Sequence, residues 1–376
     1  MRRVDHPLLS PSLGVQKTLS SFHYGHAGKG LKIYIQASLH AEELPGMLVA
    51  HHLRPLLEAA EAAGQVVSDI VLVPMANPIG LAQRVDHKPM GRFELDTSEN
   101  FNRHYPDLAK AVFSTVRSQL GQDAQSNVRV VRQAMSAYLQ AWTPKTELES
   151  LRRTLLLLSH DADVVLDLHC DCQGVMHFYT EETCWPQLEP VARLIGSRAT
   201  LLAKASGNAP FDECLSGVWW KLADALKADG LDVPLPQGCC STTIELRGEA
   251  DVHDRWAQPD AQGIFSYLQY CGAIACSEKP VLPVALCAPT PLAGSETLYA
   301  PCPGVVVFNH EAGETVRKGE LMVEIIDPIA NTRTPLHAGV DGVFYAHIRD
   351  RYVTTGCELG KIAGSIPFRT GDLLGN

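Results

Sequence analysis

His40 and Glu43, in the stretch SLHAEELPG, place an imidazole and a carboxylate side by side directly after the apolar run LKIYIQA. Ligands gather just past the strand ends of open parallel sheets. A catalytic zinc takes three protein ligands, often two histidines and a glutamate, and keeps one position for water. His40 and Glu43 can supply two of them, and His169, closing the strand-like run DVVLDLH, is placed to supply the third. Alone, an HxxE in a loop is as readily a solvated turn, and a lone histidine as readily a satisfied core residue. Their shared position at strand ends is what favours a metal.

Water activated at such a centre needs a general base, usually a carboxylate nearby. Glu245, in TTIELRGE at the end of another strand-like run, is the candidate, its plainer reading being an exposed strand-end glutamate. Between these runs, in residues 77–107, Asn102 and Arg103 join an amide to a guanidinium that can grip a substrate carboxylate bidentately. Arg92 is the candidate to stabilise an oxyanion and Arg84 is its competitor. Each arginine by itself is more simply a surface ion pair. A nucleophilic hydrolase is disfavoured, because no GxSxG elbow occurs and Cys170, next to His169 on a strand, points to the opposite face.

The elements that must position these residues follow from periodicity. KIYIQAS (32–38), VVSDIVLVP (66–74), DVVLDLH (163–169) and STTIELRG (241–248) read as buried strands of an α/β sheet. The segment from Pro45 to Gly64 reads as a helix, with proline in its first turn and glycine at its stop. Residues 106–160 turn helical, as an insertion between strands. The proline-rich SEKPVLPVALCAPTPLAGS reads as an extended linker. Beyond it, PGVVVFNHEAGETVRKGELMVEI and DGVFYAHIRDRYVTTGCELGKI repeat one pattern, two β-hairpin units of a small all-β domain.

The ordered set His40, Glu43, Asn77-Pro78, Asn102-Arg103, His169 and Glu245 resembles the succinylglutamate desuccinylase/aspartoacylase family of zinc-carboxypeptidase-like proteins, over residues 30–275. The resemblance implies an α/β/α sandwich with a mixed central sheet, one zinc held by His40, Glu43 and His169, and Glu245 as general base. HAEE keeps the ligand positions of the family's HGDE-like stretch. The usual compact DLNR is ENFNR here, after a longer segment, which leaves the choice between Arg92 and Arg84 open. The repeat beyond the linker is similar to biotinyl/lipoyl barrel-sandwich hybrid domains, yet IIDPIANTRTP, between its halves, has no lysine to modify. No swinging arm is expected there.

Composition sets the outer bounds. With 32 Lys and Arg against 42 Asp and Glu, the formal charge is −10 and no basic block stands out, so nucleic acid is not an expected partner. No apolar run approaches a membrane span, and eleven cysteines without a signal peptide argue for free thiols in a reducing cytoplasm. The expectation is an α/β catalytic domain over residues 1–285 and an all-β domain over 286–376, acting as a zinc-dependent amidohydrolase on a small N-acyl amino acid. A metallocarboxypeptidase and a non-catalytic assembly protein with a vestigial metal site are the alternatives. The partner is a small molecule, with homo-oligomerisation left open.

Overall fold

The computed structural model describes residues 1–375. The chain opens with an antiparallel pair, β1 (Arg2–Pro7) and β2 (Thr18–Gly25), followed by β3 (Lys32–Ala37) and β4 (Asp69–Val73). An exposed hairpin, β5 (Arg84–Val85) and β6 (Lys88–Pro89), comes next. Then follow β7 (Val164–Asp171), β8 (Gln173–Gly174), β9 (Met176–Thr180), β10 (Ala199–Leu202), β11 (Cys240–Gly248) and β12 (Thr290–Pro291). Nine of these form one mixed sheet in the order β1-β2-β4-β3-β7-β11-β9-β10-β12. The central strands β4, β3, β7 and β11 are parallel. Their apolar runs are continuous because helices cover both faces.

One face carries α1 (Pro45–Ala62), α6 (Trp185–Leu194) and α8 (Asp254–Tyr270), whose Leu53, Leu57, Val191 and Ile264 join a core with Ile33 and Leu166. The helical stretch 106–160 resolves into α3 (Leu108–Val116), α4 (Ala124–Ala141) and α5 (Glu147–Ser159). These pack with α7 (Phe211–Ala228) on the other face, around Tyr34, Val165 and Phe211. The result is an α/β/α sandwich with a mixed central sheet. Pro45 does sit in the first turn of α1, and Gly64, at φ +69°, ends it in the left-handed conformation that glycine adopts at no steric cost. A one-turn helix, α2 (Pro78–Ala82), completes the set.

The remaining strands are β13 (Ser295–Tyr299), β14 (Gly304–Phe308), β15 (Thr315–Val316), β16 (Leu321–Asp327), β17 (Thr332–His337), β18 (Gly342–His347), β19 (Tyr352–Val353) and β20 (Glu358–Gly364). They form two antiparallel sheets, β13-β20-β18-β15 and β17-β16-β14-β19, around a core with Val323, Ile325, Phe344 and Ile362. This all-β unit is stitched to the sandwich at two places. β8 pairs with β18, and β12, inside the proline-rich segment, pairs with β10 as the edge of the large sheet. The segment expected to be only a linker thus contributes a strand. No helix among the described residues is long and apolar enough to cross a membrane.

Candidate metal centre

β3 ends at Ala37, and the next residue, Ser38, adopts φ +58°, a conformation that costs a non-glycine residue energy and turns the chain sharply. The Ser38 hydroxyl donates to the Glu43 carbonyl at 2.9 Å and closes the loop between strand and helix. Asn77 clamps this loop from outside: its Nδ2 donates to the Leu39 carbonyl and its Oδ1 accepts from Gly80 N–H, each at 2.8 Å. Glu42 accepts from Gly91 N–H at 2.8 Å, while Ala41 N–H donates to the Gly91 carbonyl at 2.9 Å. Residue 91 thus lies directly against the backbone of the ligand loop.

The loop brings the three expected ligands together. Glu43 Oε1 lies 2.8 Å from His40 Nδ1, and Glu43 Oε2 lies 2.8 Å from His169 Nδ1. All three residues are buried, and they form a cluster able to hold a metal ion. On the outer side, His40 is held by a hydrogen bond and His169 faces a carboxylate. His40 Nε2 is 2.8 Å from Asn100 Oδ1, and since that oxygen also accepts Asn102 N–H, His40 must donate through Nε2. His169 Nε2 is 3.1 Å from Asp167 Oδ2, and Gln36 fixes the other Asp167 oxygen at 2.9 Å.

A neutral His40 protonated on Nε2 points a lone pair from Nδ1 straight at a carboxylate oxygen. Burial, then the nearby Arg92, push its pKa down to about 4, so a second proton does not relieve the clash. At His169 burial also opposes the charged ring, but Asp167 and Glu43 outweigh it and hold the pKa well up. Two imidazole nitrogens and a carboxylate converge here, His40 Nδ1 as an acceptor and His169 Nδ1 able to become one when a cation displaces its proton, a donor set that fits a divalent cation. Arg92 Nη1 approaches the same atoms, 3.3 Å from His40 Nδ1 and 3.4 Å from Glu43 Oε1.

A cavity of about 350 Å³ opens over this cluster. Glu245 stands opposite His169 across the β7–β11 ladder and lines it, with Oε2 lacking a hydrogen-bond partner. Burial, then the charge of Glu43, push its pKa up to about 8. Arg92, Asn102 and Arg103 line the same cavity, whereas Arg84 lies on the exposed β5–β6 hairpin with its guanidinium on the His87 carbonyl. Asn102 Oδ1 accepts from Phe211 N–H at 2.9 Å, so its NH₂ is the group left to offer a ligand. Arg103 is already engaged, since its Nε and Nη2 donate to the Gly375 carbonyl at 3.2 and 2.7 Å.

Several lining residues carry no signal in the local sequence. The all-β unit contributes Tyr345 and Lys361, the latter bonded to Asp171 and Glu358 at 3.1 Å. Another wall carries Glu181, Asp212 and Glu213, none in an ion pair within 4 Å among the described residues. Asn100 and Asp167, in ENFNR and DVVLDLH, stand behind His40 and His169. Asp167 had a usable signal, two residues before His169 on the same strand face.

A mixed-sheet α/β/α sandwich whose parallel strand ends carry a buried His-Glu-His cluster defines the class. Residues 29–212 of the chain match the succinylglutamate desuccinylase/aspartoacylase catalytic domain. The chain is similar over nearly its whole length to two solved family proteins from Shewanella. The one from S. amazonensis SB2B is 27% identical, covers 96% of this chain and 98% of its own, with a TM-score of 0.82. The one from S. frigidimarina NCIMB 400 is 26% identical over 96% and 97%, with a TM-score of 0.84. The product-bound ectoine utilization protein EutE (DoeB) of Ruegeria pomeroyi shares the fold at 15% identity, over 96% of this chain and 93% of its own, with a TM-score of 0.65. No curated protein sequence matches the chain.

Proposed function

We propose that this protein is a zinc-dependent amidohydrolase that removes the acyl group from a small N-acyl amino acid or related carboxylate-bearing amide. The observation that carries the reading is the convergence of three buried potential ligands, His40 Nδ1, Glu43 and His169 Nδ1, on one point at the wall of a cavity. Imidazole and carboxylate suit zinc, although the donor set alone also accepts other first-row metals. When bound, zinc supplies Lewis acidity and lowers the pKa of water toward about 7.

The chain's own groups do the rest. Glu245 takes the proton of the attacking water and passes it to the leaving amine. Arg92, beside the cluster, faces the charge that develops on the scissile carbonyl oxygen. Arg103, with the Asn102 amide, holds the carboxylate of the substrate, which takes the place that the Gly375 carbonyl occupies. A cavity of about 350 Å³, walled partly by the all-β unit, suits a metabolite better than a peptide. The eleven cysteines, all unpaired, fit a reducing compartment such as the cytoplasm, and the substrate is the only partner we assign.

The test is a screen of N-acyl amino acids against peptides with zinc-loaded protein, run beside Glu245→Gln. The variant is expected to lose turnover by at least about a hundredfold, the span of general-base catalysis, while keeping one zinc per chain. Full activity in Glu245→Gln would remove Glu245 from the mechanism. Cleavage of peptides in preference to acyl amino acids would replace the substrate class.

A further inference from the structure

The segment that leaves β20 runs back across the mouth of the cavity. Phe368 and Arg369 N–H both donate to the Ala293 carbonyl at 3.0 Å, and Leu373 and Leu374 N–H donate to the Ser206 carbonyl at 2.7 and 3.1 Å. Arg369 braces it internally, through Nη2 to the Leu373 carbonyl at 2.7 Å. Leu373, 9% exposed, sits in an apolar cluster with Tyr179, Leu201 and Tyr345. The path ends with the Gly375 carbonyl between two nitrogens of Arg103.

Among the described residues, that last contact pairs a cation with a neutral oxygen. Arg103 forms no ion pair within 4 Å with a carboxylate among the described residues, and its fork, shaped for two anionic oxygens, holds one neutral oxygen. Charge-assisted bidentate bonds are roughly twice as strong as neutral ones. A carboxylate therefore displaces the carbonyl, whereas a neutral amide or ketone gains nothing by the exchange.

We propose that residues 372–375 are a displaceable latch on Arg103, an internal competitor that the carboxylate of the substrate must displace. The proposal rests on the reading of Arg103 as the acid-binding residue. While the latch is seated the binding-competent fraction is reduced, so every ligand binds more weakly by the same factor, and only one with a charged acid group retains useful affinity. A segment that merely completed the pocket wall would act in the opposite direction, because its removal would take contacts away from the substrate.

The experiment compares the zinc-loaded wild type with a deletion of residues 372–376 and with Leu373→Asp, which expels the anchor from its apolar cluster at full length. KM for the N-acyl amino acids that wild type cleaves is expected to fall by about threefold or more in both variants, with kcat little changed. Succinate, used as a plain carboxylate probe, is expected to bind both variants tighter by calorimetry. In wild type it is expected to speed hydrogen exchange at the Leu373 and Leu374 amides. An unchanged or raised KM, with unaltered exchange, would overturn the latch. If wild type cleaves no acyl amino acid, the functional reading fails, and the succinate measurements still decide on the latch.

Discussion

At the scale of the residue, the centre depends on what stands behind its ligands. Asn100 Oδ1 fixes His40 with Nδ1 inward, and among the described residues nothing else lies within hydrogen-bond distance of His40 Nε2. Asn100→Ala is therefore expected to weaken zinc binding by roughly 10- to 100-fold, read by competition with a chelator, since outer-shell partners of metal-bound histidines have effects of that size. Unchanged affinity would mean that packing alone orients the ring. Glu181 makes a second prediction. Burial pushes its pKa up to about 8, and the Ser216 and Trp220 side chains donate to its Oε1. The folded chain thus keeps a proton that the unfolded chain releases above the ordinary carboxylate range, so this group's contribution falls as pH rises toward about 8. Glu181→Gln keeps the acceptor and removes the cost of ionisation. Its melting temperature is expected to match wild type near pH 5 and exceed it near pH 9, by roughly 1 °C per kcal/mol gained for a chain of this length unfolding as one unit. A gap of equal size at both pH values would show that ionisation is not the cause.

At the scale of the element, strand ends and the loops leaving them make the site. β3 and β7 are adjacent and parallel, with Ala37 opposite Leu168, so the loop after one necessarily meets the end of the other. The loop carrying Arg92 is pressed against the ligand loop so closely that a Cβ on Gly91 would lie 2.3 Å from Glu42 N and 2.7 Å from the Ala41 carbonyl carbon. These neighbours are backbone and cannot swing aside. Gly91→Ala is expected to shift residues 40–43, lower zinc affinity at least about tenfold and cost about 1–3 kcal/mol of stability. A variant that binds zinc and melts like wild type would show that the two loops can part without consequence. Such loop-to-loop contact was not legible beforehand. Strands announce themselves by apolar runs and helices by proline and glycine, but no spacing rule links residue 41 to residue 91.

At the scale of the whole molecule, the all-β unit shares the sandwich's sheet edges and its pocket. β8 belongs to the sandwich half yet pairs with β18, β12 follows α8 yet extends the large sheet, and Lys361 reaches Asp171, two residues past His169. Val175 and Leu201 from one half and Tyr345 and Ala363 from the other share one apolar cluster. Neither half can unfold without exposing surface of the other. Calorimetry is expected to give a single cooperative transition. Two resolved transitions would show that the halves are stable apart.

Sequence alone determined the strands β3, β4, β7 and β11, the helix after His40, and the candidate set His40, Glu43, His169 and Glu245. Each of these rests on short-range pattern, on alternation, a capping residue or a polar group closing an apolar run. Tertiary structure decided what distance along the chain conceals. It brought Asn100 to His40 across 60 positions, put Arg92 in the cavity and Arg84 outside it, and seated Gly375 on Arg103 from 272 positions away. Those contacts depend on which strand lies beside which and how far each loop reaches, and periodicity carries no information about either.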